Sequence, residues 1–198
     1  MRKAIAALFA VILAAPASAT TLSVDMTVDN TFSLYISTND SLPGTLVGTG
    51  NNWGETFPFT TTLTPGVTNY IHVQAGNAGG PGAFIGDFQL SDASFPFANG
   101  AQLLVTNAVD WDVSTVGFGG PYMTPADSGV NGTSPWGLRP GIDANAHFIW
   151  EPGQCGVCTI YFSTAVTFAI PEPGIFAMLL AGFGLLGFVA RRARYQIG

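Results

Sequence analysis

The chain has 198 residues, 47% of them hydrophobic and only 9% charged, which is enough apolar material for one domain with a substantial core. Its formal net charge is −6, but within 20–168 Arg139 stands alone against eleven acidic residues, a net charge of −10. Nothing there can neutralise phosphates, so nucleic acid is excluded as a partner, while neutral glycans, divalent cations and basic proteins are not. A solvated, self-repelling surface is the simplest interpretation of the acidic excess.

The first nineteen residues have the three parts of a secretory signal peptide. Arg2 and Lys3 form a basic region, 4–14 form a short apolar region, and Ala17-Ser18-Ala19 supplies small residues for cleavage by signal peptidase. We therefore predict export, with a mature chain that begins near Thr20.

From residue 20 onward the chain has the pattern of short β-strands separated by turns. Two segments, 39–57 and 118–143, are rich in Gly, Asn and Pro and are predicted as loops. No helical period occurs within 20–168. We predict an all-β fold, a single antiparallel β-sandwich over 20–168. The predicted strands alternate apolar and polar side chains or are short apolar runs, and they cover 22–29, 32–36, 60–63, 70–75, 84–90, 102–106, 111–116, 146–150 and 158–168.

Aromatic side chains are the candidates for ligand binding. Trp53, Tyr122 and Trp136 lie in predicted loops, where exposed rings can stack on sugar faces. Trp111 and Trp150 lie in predicted strands and are expected in the core. Even for the three loop residues, packing beneath a long loop is the simpler expectation.

No catalytic residue, metal site or cofactor is predicted. His72 and His147 fall on separate predicted strands outside any ligand-spaced motif, and the chain has no Gly-x-Ser-x-Gly elbow. Asp110 and Asp112 share a strand face without the spacing of a calcium loop, so a solvated acidic face is favoured over a bound ion. A carboxylate pair for glycoside hydrolysis stays open, because the separation of such groups is set by the fold. We expect a protein that is not an enzyme.

Cys155 and Cys158 form a CxxC pair at the start of the last predicted strand. A zinc site would need a second pair, and thioredoxin-like chemistry would need a helix beneath the motif; the sequence offers neither. In an oxidising compartment the pair predicts a disulfide. Because it closes so short a loop, its stabilising effect should be modest.

The C-terminus carries an apolar run followed by a basic cluster. Residues 175–190 contain no charged side chain, and as a helix they would span about 24 Å, slightly less than the roughly 30 Å of a hydrocarbon core. Arg191, Arg192 and Arg194 follow at once and should stay in the cytoplasm. We predict a transmembrane helix over 175–190 and a cytoplasmic tail over 191–198, with a buried core helix as the alternative.

The tail resembles the PEP-CTERM sorting signal of Gram-negative surface proteins. The matching features are the triplet Pro171-Glu172-Pro173 within the linker 169–174, the glycine-containing apolar run, and the terminal arginines, in that order. The resemblance implies a membrane-embedded exosortase as partner, which cuts near the triplet, and an association with exopolysaccharide and biofilm matrix. The two prolines should keep the linker extended just outside the membrane.

The exported domain resembles the galactose-binding-like jelly-roll domains that accompany many glycoside hydrolases. The similarity lies in the order strand, loop, Pro-Gly turn, strand and Gly-Gly loop, followed by the strand of Trp111 and the segments 135–137 and 147–150. It implies a jelly-roll sandwich and, less directly, a sugar ligand.

Together these features predict a surface protein held in the inner membrane with its domain outside, then transferred to the cell surface or extracellular matrix. Two roles are open for the domain. It is either a non-catalytic glycan-binding module in extracellular polysaccharide, or a structural or protein-interaction module with no sugar site. A concave patch with two exposed aromatics beside Asn or Asp would favour the first role, and fully buried tryptophans would favour the second.

Overall fold

The structure is a computed structural model that describes residues 20–93, 95–168 and 179–186. The predicted signal peptide, the linker 169–174, both ends of the predicted helix 175–190 and the tail 191–198 lie outside the described residues. The described part forms strands β1 (Thr21–Asp29), β2 (Thr31–Ser37), β3 (Thr45–Gly50), β4 (Phe57–Thr62), β5 (Asn69–Asn77), β6 (Ala83–Leu90), β7 (Leu103–Val105), β8 (Asp112–Ser114), β9 (Ala126–Val130), β10 (His147–Trp150) and β11 (Cys158–Val166).

The strands form two antiparallel sheets, which confirms the all-β prediction. Sheet A has the order β4-β1-β6-β10-β9, and β7 also pairs with β6. Sheet B has the order β3-β2-β5-β11-β8. The longest pairing in each sheet joins strands far apart in sequence: β1 with β6, and β5 with β11. Long pairings of this kind leave little freedom for the register to slip.

The two sheets share one hydrophobic core, because apolar side chains alternate with polar ones along the strands and lie on the inner faces. In β1 the side chains of Leu22, Val24 and Met26 point inward and are buried, because alternate side chains of a strand lie on the same face. At the centre, the Trp111 ring lies 5.1 Å from Phe84 and 5.0 Å from Phe88, centroid to centroid. Trp111 and Trp150 are both fully buried, as predicted.

Two strands lie in segments that were predicted as loops. β3 falls within 39–57 and β9 within 118–143, so the loop prediction is wrong at both places. In β3, Gly48 and Gly50 stand where apolar side chains would have revealed the alternation. A Cβ at Gly48 would lie 2.0 Å from the Phe59 ring, and one at Gly50 would lie 2.2 Å from the Phe32 ring, so these rings fill the space. β9 is a polar edge strand, Ala-Asp-Ser-Gly-Val, without an apolar face to reveal it.

Long connections cover part of the outer face of each sheet. On sheet A, the segment 131–146 covers Ala83 and Ile85 of β6 and forms a second small apolar cluster with Trp136 and Phe148. On sheet B, Phe118 lies flat on the His72 ring, with centroids 4.2 Å apart. These two coverings determine which polar side chains of the outer faces stay accessible.

Candidate functional site

Two of the three predicted loop aromatics meet at the only basic residue of the domain. The Arg139 guanidinium donates hydrogen bonds to the carbonyl oxygens of Trp53, at 3.1 Å, and Trp136, at 2.5 Å. It also lies over the Trp53 ring, 5.1 Å from the centroid, in a cation–π contact. Arg139 therefore joins the loop before β4 to the long loop before β10. Its role was not evident from the sequence, where it has no neighbouring motif.

The environments of these two tryptophans differ. Trp136 is 6% exposed and stacks on Phe148 at 4.9 Å, while its indole N–H donates to Asp29 at 3.1 Å. Burial raises the pKa of that Asp29 carboxyl, and the hydrogen bond from the indole partly offsets the increase. Trp53 is 39% exposed, but Arg139 lies over its ring. The structure therefore gives Trp136 a packing position and leaves Trp53 as the more accessible ring.

Tyr122 lies apart from both tryptophans, on the sheet B side, in a network centred on Asp40. One carboxylate oxygen, Asp40 Oδ1, accepts hydrogen bonds from the Tyr122 hydroxyl at 2.9 Å and the Ser163 hydroxyl at 2.8 Å. The Nε2 atom of His72 lies 3.3 Å from the same oxygen. Burial raises the pKa of the Tyr122 phenol, and the Asp40 carboxylate raises it further, against hydrogen bonds from Ser163 and Gly119 that lower it. The Tyr122 hydroxyl is thus hydrogen-bonded within the fold.

The same network contains a serine, a histidine and an aspartate, but not in the geometry of a nucleophilic triad. A triad needs the serine hydroxyl bonded to the histidine base, with the aspartate behind it. Here Ser163 donates directly to Asp40, and the other ring nitrogen of His72 lies 3.4 Å from the Pro43 carbonyl. His72 is fully buried and Ser163 is 4% exposed. The group fixes the loops over sheet B.

Cys155 and Cys158 are joined by a disulfide with Cα atoms 6.0 Å apart, which confirms the predicted pairing. The turn that it closes is also held by Glu151, which is 5% exposed. The Glu151 carboxylate accepts hydrogen bonds from the backbone N–H groups of Gly153 and Cys155. Asn77 of β5 donates to the Cys155 carbonyl at 3.1 Å, which ties the turn to sheet B. The role of Glu151 could not be predicted from the sequence, because its hydrogen-bond partners are backbone groups, which leave no pattern of residue types.

The outer face of sheet A concentrates acidic side chains. Asp25 and Asp87 are direct partners in the register of β1 and β6, and the Asp143 backbone N–H donates to Asp87 at 2.7 Å. Burial raises the pKa of Asp87, and the charges of Asp25 and Asp143 raise it further, whereas that hydrogen bond lowers it. Among the described residues, no three His, Cys, Asp or Glu side chains are placed to share a metal ion.

Acidification from about pH 7 to about pH 4 should raise the melting temperature of the chain. The pKa values of Asp29, Asp87 and Asp112 are raised, first of all by burial, so the folded state binds protons more readily than the unfolded state. Their contribution to stability is complete below the ordinary value of about 3.9 and is lost as the pH rises through the raised values. Melting followed by circular dichroism measures the effect.

The pKa of Asp127 is shifted in the opposite direction, so this residue limits the stability of the fold at the acidic end of the pH range. Burial raises its pKa, but hydrogen bonds from the Gly129 N–H and from His147, at 2.7 Å, outweigh burial and lower the pKa overall. Its contribution is therefore lost only at more acidic pH. Asp87→Asn, which keeps an oxygen for the Asp143 N–H, should flatten the rise between about pH 7 and about pH 4. A melting temperature that falls over that interval would contradict the assignment.

An uncharged polar groove runs across the uncovered half of the sheet B outer face. Its larger recess has a volume of about 390 Å³ and is lined mainly by Thr, Ser, Asn and Gln side chains of β2, β3 and β5 and the loop after β3. A second recess of about 310 Å³ shares Thr31, Gly76 and Thr159 with it. The two recesses therefore form one elongated groove, which no sequence motif marks.

At the C-terminus, the described residues 179–186 are helical and their side chains are exposed, with Leu180 and Phe183 at 71% and 62%. Over the described ranges, no helix combines the length and the apolar character that a membrane crossing requires. The sorting triplet Pro171-Glu172-Pro173 and the arginines Arg191, Arg192 and Arg194 lie outside the described residues.

Fold and tail together define a two-sheet all-β domain followed by an apolar C-terminal signal. Residues 169–194 match the family described as PEP-CTERM protein-sorting motif. The match implies an exported surface protein that is anchored through its C-terminal motif and sorted by an exosortase. No curated protein and no solved structure matches the chain at a significant level. The resemblance of the domain to galactose-binding-like jelly rolls therefore stays a prediction.

Proposed function

We propose that the apolar run 175–190 spans the inner membrane and holds the domain outside until an exosortase cuts near Pro171-Glu172-Pro173. The observation that supports this most directly is the match of residues 169–194 to the sorting motif. Within 179–186, the exposed side chains are apolar and the domain does not cover them. Apolar side chains of a helix that no protein surface covers gain free energy from a hydrocarbon environment.

For the domain we propose a non-catalytic role. In the serine–histidine–aspartate grouping on sheet B, His72 and Ser163 are buried and the hydrogen bonds run in the wrong order for a nucleophile, because the Ser163 hydroxyl already donates to Asp40. Of the two glutamates in 20–168, Glu151 is buried and satisfied by backbone N–H groups. Glu151 is therefore not placed to act on a substrate as a base in contact with solvent.

We propose further that the domain binds glycan in the extracellular polysaccharide, through the polar groove of sheet B rather than through the predicted loop aromatics. The groove supports this role because its lining is uncharged and rich in hydroxyl and amide groups. A structural or protein-interaction module is the second candidate. It is favoured by the burial of three of the four tryptophans, Trp111, Trp136 and Trp150.

Replacing Arg191, Arg192 and Arg194 together with glutamine should weaken the orientation of the anchor, because no other basic residue flanks the apolar run. The test uses spheroplasts of a strain without exosortase that express the full chain with a C-terminal epitope. The epitope should be protected from added protease in the parent chain and become partly accessible in the triple variant. Arg139→Gln, an arginine substitution within the domain, is the matched control and should leave the epitope protected. Full protection in the triple variant would count against the proposed anchor.

A further inference from the structure

We propose that the groove on sheet B is the site for a neutral polyhydroxylated chain, a stretch of uncharged polysaccharide, with Gly76 at the middle of its floor. This inference rests on the proposed glycan-binding role and specifies the ligand class and the groove residues that would bind it. The three predicted ligand-binding aromatics contribute nothing to the lining of this groove.

Most polar side chains that line the larger recess are free to bind a ligand. Gln74, Ser33 and Asn51 form no side-chain hydrogen bond within the described part of the chain, and the same holds for Thr49 and Thr159. Elsewhere in the domain the amides are committed: Asn69, Asn107 and Asn131, for example, bond to nearby backbone groups. In the second recess, Asn77 also bonds to backbone carbonyls, so the free groups are those of the larger recess. A cluster of free hydroxyl and amide groups can exchange its water for the hydroxyls of a sugar.

A glycine, Gly76, lies at the floor of the groove. Gly76 lies inside β5, where glycine costs stability unless something approaches the backbone closely. A Cβ added there would meet the Thr31 hydroxyl at 2.6 Å and otherwise find nothing nearer than 4.0 Å, so the position opens into the groove. Since Gly76 lines both recesses, the absence of its side chain is what makes them continuous.

The charge and the shape of the groove suit a neutral ligand. No charged side chain lines either recess, although the domain carries a net charge of −10. An anionic polysaccharide would be repelled by the domain and find no cation in the groove, and a basic peptide would find no carboxylate there. The half-buried Phe57 ring, edge-on to Phe32 at 5.5 Å, adds an apolar border for sugar C–H groups. A volume of about 390 Å³ is within the usual range of about 300–1,000 Å³ for ligand sites.

The test is retention of the purified full chain on immobilised neutral polysaccharides. The probes are dextran, galactomannan and a β-1,3-glucan, with alginate as the anionic comparison, in a zwitterionic detergent that carries no sugar. We expect retention on at least one neutral polymer and none on alginate. Gln74→Ala should weaken the apparent affinity about tenfold, the effect of one lost hydrogen bond in a desolvated site. Gly76→Val should abolish retention, because its branched side chain fills the junction of the recesses.

Gln89→Ala is the matched control, since Gln89 is an exposed glutamine on the outer face of sheet A, and it should bind like the parent chain. If Gly76→Val lowers the melting temperature, only the result for Gln74→Ala is used to test the groove. Retention that survives both groove substitutions would overturn the groove while leaving glycan binding in place. Failure to bind any of the three neutral polymers would overturn both the groove and the glycan-binding role. Neither result bears on sorting, which is tested separately by the intact mass of the surface protein.

Discussion

Replacing Trp136 with alanine should lower the free energy of unfolding by about 3–5 kcal/mol, the usual cost of removing a buried tryptophan side chain. The ring is 6% exposed, stacks on Phe148 and donates its indole N–H to Asp29. Its removal would leave a cavity between the loop 131–146 and sheet A, and would leave the half-buried Asp29 carboxylate without this donor. For a domain of this size the melting temperature should fall by about 6–20 °C.

Trp53→Ala is the matched control for this prediction. Trp53 is also a loop tryptophan, and Arg139 contacts it as well, but 39% of its surface is exposed. Its loss removes mainly a cation–π contact worth about 0.5–1 kcal/mol at an exposed site. Equal melting temperatures for the two variants would show that the buried Trp136 stabilises the domain no more than the exposed Trp53, which would contradict its role in packing.

The second large effect is expected in a strain that lacks the exosortase. There the chain should lose its signal peptide and remain in the inner membrane with its C-terminal residues, whereas with active exosortase the mature protein should end near Pro171-Glu172-Pro173. Replacing Pro171 and Pro173 with alanine should reduce the cut as well. Without the prolines nothing prevents the apolar helix from extending into the linker, and a helical segment hides the peptide bonds that a processing enzyme must reach.

A control for the linker variant separates recognition from anchoring. Because the substitutions leave the apolar run and the arginines unchanged, the double alanine variant should still fractionate with the inner membrane. Release of this variant into the medium at the same rate as the parent chain would contradict a role of the prolines, and it would not affect the proposed membrane span.

The architecture was largely predictable because its longest strands are buried on one face only, which produces a clear alternation of apolar and polar residues. β1 and β11 alternate over nine residues each, and their inward side chains are the ones that the pattern indicated. Trp111 and Trp150 were expected in the core because they lie in predicted strands, and both are fully buried, although Trp111 lies just before β8. β3 and β9 were not predicted, since glycines interrupt the alternation in one and the other is a polar edge strand.

The side-chain networks were not predictable from the sequence, because they join positions far apart in the chain. Asp40 and Ser163 are separated by 123 positions, and Trp136 and Asp29 by 107. The burial of Trp136 depends on Ala83 and Ile85, which place apolar side chains on the outer face of β6. A single sequence indicates that the first three residues of β6, Ala-Phe-Ile, are apolar on both faces, but not which loop covers the second face.

The groove also has no signature in the sequence. Its floor consists of residues that alternate with core positions: Ser33 in β2, Gln74 and Gly76 in β5, and Thr159 in β11. They come together only because β5 lies between β2 and β11, with Ser33 opposite Gln74 and Thr159 opposite Gly76. Each is an ordinary solvent-facing residue in its own strand, and the site arises from the register alone.

The most direct test of the sorting role is the intact mass of the protein released from the cell surface of a strain with active exosortase. Removal of the signal peptide and a cut near Pro171-Glu172-Pro173 predict a species that begins near Thr20 and lacks the residues from Ile175 to Gly198. A mature surface species that still carries Ile175 to Gly198 would contradict sorting by an exosortase.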